Sequence, residues 1–218
     1  MGSLIEIYES NITLLIACRH TLEVGKRVGA SAFVNFPAPP EPIPGEVLGS
    51  PIYDPIEGSD VAFQFVRLPD ATQFTRLRLV DRDREVRNET LYSFQHRMDA
   101  DTGHLSTLCA QHPNVRKAVW GALYKNGEPI KQFPEPDFQR LTALRAEGWL
   151  PCWLLRMLSD EGYSGSPIID DKARLVGMNT GHVTGLQGSV AVCIPTSELY
   201  RARRRVHPQI TDQLSRLR

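Results

Sequence analysis

The sequence predicts a mostly β protein, a barrel or sandwich of short strands followed by a C-terminal helix. Short apolar segments bounded by turn residues run through most of the chain. A helical pattern is credible only near residues 137–147 and again from about residue 197. The chain carries no internal repeat and no low-complexity tract that would indicate a different architecture.

The strand candidates share apolar or alternating runs with turn-forming residues at their ends. The first two, residues 4–8 and 12–17, flank the turn-forming residues 9–11 and predict a hairpin. Segment 37–45 holds too many prolines for a sheet interior and predicts an exposed loop. The remaining strand candidates are residues 32–36, 61–66, 77–80, 91–94, 149–157, 166–169, 175–178 and 190–194.

Helix signals appear at two places in the chain. In the middle, Asp137 is a suitable N-cap, apolar residues recur at helical spacing, and Gly148 is a suitable stop. Near the end, Thr196 or Ser197 is a suitable cap for a helix that His207-Pro208 ends. The charged run between two strand candidates, residues 81–85, predicts a solvated turn.

Composition excludes several classes of function. The 218 residues carry 25 basic and 25 acidic side chains, so the balance favours neither nucleic acid nor an anionic membrane as a partner. The chain has no apolar run of membrane-spanning length and no signal-peptide pattern, which predicts a cytoplasmic protein. Its four scattered cysteines predict buried free thiols rather than a disulfide framework.

The strongest chemical signal is Gly-Tyr-Ser-Gly-Ser-Pro over residues 162–167. A nucleophilic serine needs small neighbours for the approach of a carbonyl group, and backbone N–H groups aimed at the developing oxyanion. Here Ser164 is the candidate nucleophile, and the N–H groups of Gly162 and Ser164 are the candidate oxyanion hole. The alternative is a simple serine-glycine turn before a strand. An α/β-hydrolase elbow fits poorly, because a strand rather than a helix follows.

Two weaker signals complete the set. His20 follows the apolar strand 12–17, which places an imidazole at a strand end. Asp60 directly precedes the apolar strand 61–66, where a carboxylate can orient an imidazole while partly shielded from water. Each residue taken alone is more often ordinary surface or turn polarity than part of a catalytic site.

Taken together, the order His20, Asp60, Ser164 and the three local motifs resemble the trypsin-like serine peptidases, in particular bacterial-type members. The resemblance covers roughly residues 2–206 and is poor between about 95 and 150. It implies two antiparallel β-barrels of the six-stranded, chymotrypsin-like type and a C-terminal helix. The implied domains are residues 1–85, carrying the histidine and aspartate, and residues 86–218, carrying the serine.

The resemblance also implies the roles of the residues. Ser164 attacks the scissile carbonyl, His20 transfers the proton, and Asp60 orients and stabilises the imidazole. The chain is then a serine endopeptidase acting on protein or peptide substrates, and it needs no metal and no cofactor. Two alternatives remain, a catalytically inactive or tightly regulated peptide-binding module and an esterase that uses the same site.

The substrate-binding residues implied by the resemblance are Leu158, Asn179, Thr180 and Gly181. Leu158 near the base of the primary pocket favours an apolar or small side chain, although Asp160 and Glu161 nearby are suited to a basic one. His182 directly follows these residues; a surface position is expected for it, with lining of the cleft as the alternative.

The N-terminus is short for the family, since only 19 residues precede His20. Either the first strand of the N-terminal barrel is absent, or the true chain begins upstream. Both cases predict an exposed sheet edge that can pair with a partner or with an upstream segment.

Overall fold

The computed structural model describes residues 2–24, 45–69, 75–84, 86–98, 105–115, 117–124, 131–133, 150–157, 159, 162–183 and 190–218. Twelve strands, all in two antiparallel sheets, and three α-helices lie within these ranges. The predicted strand at 32–36 and the predicted helix at 137–147 fall outside the described residues.

The first sheet has four strands in the order β1-β2-β4-β3. Its bounds are β1 Gly2–Ile7, β2 Ile12–Cys18, β3 Glu46–Tyr53 and β4 Val61–Arg67. A 3₁₀ turn over Glu9–Asn11 joins β1 to β2 as the predicted hairpin, and a short helix α1, Arg19–Val24, follows β2. Every residue of β2 is buried, so α1, which follows directly, begins at the edge of the core.

The second sheet has eight strands in the order β6-β5-β10-β11-β12-β9-β7-β8. These strands are β5 Glu89–Met98, β6 Leu105–Val115, β7 Lys117–Tyr124, β8 Lys131–Phe133, β9 Leu150–Leu155, β10 Pro167–Ile169, β11 Leu175–Val183 and β12 Val190–Pro195. The mostly β fold with two antiparallel sheets and a helical C-terminus agrees with the predicted fold class.

Two C-terminal helices follow β12. Helix α2, Thr196–Arg205, packs against β11 and β12 of the second sheet, and α3, His207–Leu217, packs against β3 of the first. Leu199, Ala202, Val206 and Ile210 are fully buried in a core that also contains residues of both sheets. Helix α2 ends where the sequence predicts. A second helix begins directly after it, because its proline lies in the first turn, where a backbone N–H has no acceptor within the helix. No helix among the described residues is long and apolar enough to span a membrane.

The N-terminus of α2 is capped differently from the prediction. Neither Thr196 nor Ser197 caps it with its own side chain. Instead the Asp83 carboxylate accepts the Ser197 backbone N–H at 2.9 Å and the Ser197 hydroxyl at 2.8 Å. The charged run 81–85 therefore supplies a helix cap as well as solvated residues.

Residues 77–80 are not a regular strand, which corrects the sequence prediction. The segment is nevertheless used, because the Leu77 N–H donates to the Leu4 carbonyl of β1 at 2.8 Å. This bond occupies part of the edge that the sequence predicts to be open. A strand added from a partner at that point would have to displace the chain's own segment.

Candidate active site

His20 lies in the first turn of α1, immediately beyond the buried end of β2. The Arg19 N–H donates to the Asp60 carbonyl at 3.0 Å, and the Thr21 hydroxyl donates to the Cys18 carbonyl at 2.7 Å. These bonds fix the backbone on both sides of the histidine. Its side chain remains about half exposed, at 48% of its full area, so the imidazole is accessible from solvent.

Asp60 holds the histidine at two points. One carboxylate oxygen accepts the His20 backbone N–H at 3.0 Å, and the other lies 2.8 Å from the ring Nδ1. An ionised carboxylate only accepts hydrogen bonds, so Nδ1 carries the proton in this contact. In the neutral ring, Nε2 is then left with a free lone pair and is able to act as a base.

Thr180 of β11 is a third member of this group. Its hydroxyl donates to the same Asp60 oxygen that faces the imidazole. Burial by itself raises the pKa of Asp60, but the hydrogen bonds from His20 and Thr180 outweigh that effect and hold the pKa below its usual range. Asp60 therefore stays ionised near neutral pH and can stabilise an imidazolium.

Ser164 lies in the turn between β9 and β10 and is half-buried. Gly162 and Gly165 on either side adopt φ angles of +85° and +81°, which L side chains rarely adopt. Among the described residues no hydrogen bond joins the Ser164 hydroxyl to His20. Catalytic contacts of this kind are often loose in unliganded structures and tighten with substrate.

The Ser164 turn and the His20 segment meet at one backbone atom. The Asn179 carbonyl accepts the Gly165 N–H at 2.8 Å and also the Cys18 thiol at 3.3 Å. Gly165 adjoins Ser164, and Cys18 lies two residues before His20. The three predicted triad residues therefore lie on segments that are anchored to the two adjacent residues Asn179 and Thr180.

The second serine of the motif has a different environment. Ser166 is fully buried, and its hydroxyl accepts the Phe94 backbone N–H at 2.7 Å. Its backbone N–H donates to the Tyr163 carbonyl, and its own carbonyl accepts the Asn179 N–H, at 2.9 Å each. Ser166 therefore closes the turn against the sheet, and only Ser164 is left for chemistry.

The structure separates the predicted substrate-binding residues. Leu158 lies outside the described residues. Asn179 is fully buried and its amide donates to the Ser159 hydroxyl at 2.8 Å, so its side chain supports the turn from within the core. Gly181 and the exposed His182 line a cavity of about 550 Å³ that also contacts His20, Asp60 and Thr180. Ser164 is not part of this lining.

The sequence does not indicate an ion pair, Asp54–Arg205, that also lines this cavity. Asp54 is 2% exposed and accepts both Nε and Nη2 of Arg205, at 2.8 and 2.7 Å. It also accepts the Ser59 hydroxyl at 2.6 Å, directly beside Asp60. Residues 54 and 205 are 151 positions apart, and no local pattern in the sequence indicates their pairing.

All four cysteines are free, as the sequence predicts. Burial, and in second place the Asp60 carboxylate, raises the pKa of the Cys18 thiol well above its ordinary value. Cys18 is therefore a neutral thiol beside the His20–Asp60 pair.

Comparison with known proteins gives structural matches only. The fold matches the protease domain of MamO from Magnetospirillum magneticum in its apo form, with 18% identity, a TM-score of 0.51, and coverage of 92% of this chain and 85% of that one. It also matches the inactive form of the protease Rv3671c, with 16% identity, a TM-score of 0.51, and coverage of 93% and 82%.

The active form of Rv3671c from M. tuberculosis matches with 15% identity, a TM-score of 0.50, and coverage of 93% and 72%. The chain has the chymotrypsin-like protease fold. No protein-family model and no curated protein sequence matches it. At these identities the likeness establishes the fold alone.

Proposed function

We propose that the chain is a serine endopeptidase with the triad His20, Asp60 and Ser164. The observation that carries the proposal is the fixed His20–Asp60 contact, with Nδ1 on the carboxylate at 2.8 Å and Thr180 on the same oxygen. A partly buried, hydrogen-bonded carboxylate that sets the tautomer of an accessible imidazole is the arrangement required of a general base.

The mechanism follows from this arrangement. His20 Nε2 accepts the proton of the Ser164 hydroxyl as Oγ attacks the scissile carbonyl carbon. The backbone N–H groups of Gly162 and Ser164 hold the oxyanion of the tetrahedral intermediate. The imidazolium, stabilised by Asp60, then gives its proton to the leaving amine, and water hydrolyses the acyl-enzyme with the same proton transfers.

The proposal of peptide substrates rests on the resemblance and on the position of β11. The cavity beside His20 is lined by Gly181 and His182 of β11, and the sequence resemblance implies that this strand pairs with the substrate backbone. We propose protein or peptide segments as substrates, and the cytoplasm as the compartment, in keeping with four free thiols.

A fluorophosphonate probe tests the proposal, because it forms a covalent bond only with an activated serine hydroxyl. We expect labelling of the wild type at Ser164 and its complete loss in Ser164→Ala. The matched control is Ser215→Ala, which removes an exposed hydroxyl on α3 and should leave labelling in place. The proposal fails if the folded wild type never reacts, or if Ser164→Ala still does.

One observation favours a second candidate, an inactive or tightly regulated peptide-binding module. The Ser164 hydroxyl and His20 are not hydrogen-bonded to each other, although both residues are described. A module of this kind would bind peptides without reacting with the probe. If the probe labels the chain, comparing hydrolysis of peptide amides with that of simple esters separates a protease from an esterase.

A further inference from the structure

Cys18 brings a sulfur donor to the catalytic pair. One donor atom each from Cys18, His20 and Asp60 forms a group in which all three atoms lie within 4.8 Å of one another. His20 presents Nδ1 to this group, since that atom lies 2.8 Å from the Asp60 carboxylate. The Arg19 N–H bond to the Asp60 carbonyl holds the two chain segments together at 3.0 Å.

We propose that Cys18, His20 and Asp60 form an inhibitory binding site for Zn²⁺ or a divalent cation of similar softness. The cation is a regulator here and takes no part in peptide hydrolysis. Inhibition rests on the proposed protease function, whereas binding of the cation depends only on the three side chains.

The donor set matches the chemistry of zinc. Thiolate sulfur, imidazole nitrogen and carboxylate oxygen are its usual protein ligands, at about 2.3, 2.0 and 2.0 Å from the metal. Ligands of a tetrahedral ion at those distances lie about 3.3–3.5 Å apart, so atoms that lie within 4.8 Å of one another reach them with shifts of about 1 Å. A water molecule completes the coordination. Magnesium and calcium are disfavoured, because they require six or more oxygen ligands.

The charges and protons balance in the bound state. The Cys18 thiol releases its proton to solvent, and thiolate and carboxylate together neutralise the two charges of the cation. The imidazole stays neutral, with the metal on Nδ1 and its proton moved through water to Nε2. One proton is released for each ion bound.

Loss of the base is the direct consequence. An Nε2 atom that carries the proton cannot accept one from the Ser164 hydroxyl. The cation also takes the Asp60 oxygen that otherwise stabilises the imidazolium. The site therefore stops the first chemical step while leaving Ser164 and the cavity in place.

Binding is tested with Co²⁺ alone, added to the reduced full-length chain. A thiolate ligand gives a sulfur-to-cobalt charge-transfer band in the near ultraviolet, together with visible bands of tetrahedral Co²⁺. We expect both at one ion per chain, and loss of the charge-transfer band in Cys18→Ala. The matched control is Cys152→Ala, which removes the buried thiol that lines the adjacent cavity and should keep the band.

Asp60→Asn provides a second variant if Cys18→Ala fails to fold, as judged by circular dichroism. It should retain the charge-transfer band while weakening Co²⁺ binding by at least 10-fold, since a charged ligand is lost. The site is overturned if the wild type shows no charge-transfer band, if the band persists in folded Cys18→Ala, or if Asp60→Asn binds Co²⁺ as tightly as the wild type.

Inhibition is tested separately with Zn²⁺ and the fluorophosphonate probe. Zn²⁺ should suppress labelling of the wild type, a chelator should restore it, and any labelling that Cys18→Ala shows should not respond to Zn²⁺. Labelling unaffected by bound Zn²⁺ overturns the inhibitory role. A wild type that never labels overturns the protease proposal and the inhibitory role together, while the cobalt spectrum still decides the cation site.

Discussion

Replacing Arg205 with methionine would leave the Asp54 carboxylate buried without its cation. Asp54 has a side chain only 1% exposed, and Arg205 contacts it through two nitrogens at 2.8 and 2.7 Å. In Arg205→Met the hydroxyl of Ser59 is the remaining side-chain donor to this carboxylate. Methionine preserves much of the apolar packing of the arginine stem, so the lost charge dominates the effect.

The magnitude follows from the burial of the pair. Removing one partner of a buried ion pair costs about 3–5 kcal/mol in the free energy of unfolding. For a chain of this size each kcal/mol corresponds to about 2–4 °C in the melting temperature, so Arg205→Met should melt about 6–20 °C below the wild type. The Ser59 hydroxyl adjoins Asp60, so the His20–Asp60 contact should weaken as well.

Chemical denaturation, with calorimetry as a second measure, gives the cost. Arg216→Met is the matched control, because its pair with Asp212 lies on α3 with side chains 74% and 58% exposed. Breaking that surface pair should cost at most about 1 kcal/mol. Equal losses in the two variants would refute the reasoning that burial of Asp54 sets the cost.

Three further predictions concern the site and the sheet beneath it. Thr180→Val removes a hydrogen-bond donor to the ionised Asp60 carboxylate and should lower kcat/KM about 10–100-fold, whereas Thr180→Ser should retain most of the activity. Steady-state kinetics on the best peptide substrate measures both values of kcat/KM. The pKa of Asp60 in the folded state lies below 3.8, so the stability that its ionised form contributes is complete above that pH and is lost as the pH falls through the folded-state pKa. The difference in unfolding free energy between wild type and Asp60→Asn, measured from about pH 6 downwards, should shrink only on the acid side, and a constant difference would contradict the linkage. Gly177→Ala places a Cβ 2.3 Å from the Ile194 carbonyl and should destabilise the chain strongly, whereas Gly181→Ala meets nothing within 4 Å and should be tolerated on thermal melting.

The strands that the sequence predicts are those with continuous apolar or alternating runs. Residues 12–17 and 61–66 form β2 and β4 because nearly all their side chains are buried. Strands β3, β6, β7 and β8 were not predicted. Pro51 and Pro113 interrupt the first two, whereas β7 and β8 contain no proline. Pairing along a whole strand outweighs such local breaks, and it depends on partners distant in sequence.

The candidate active site shows the same difference between local features, which the sequence reveals, and long-range contacts, which it does not. The motifs around His20, Asp60 and Ser164 are local, so short stretches of sequence are enough to suggest them. The bond from Thr180 to Asp60 and the bond from Arg205 to Asp54 join residues more than 100 positions apart, and only the folded chain brings them together. The arginines of α2 illustrate the difference. Arg203 and Arg205 form ion pairs with Glu6 and Asp54, and no local pattern of the sequence indicates either partner.

The shared carbonyl of Asn179 acts as a pivot for the two halves of the site. Because it accepts both the Gly165 N–H and the Cys18 thiol, a rotation of that peptide plane would move the nucleophile's turn and the base's strand in concert. A thiol that has surrendered its hydrogen cannot donate to this oxygen. A cation held by Cys18 would therefore free this oxygen from the thiol, while the Gly165 N–H bond continues to hold the turn that carries the serine.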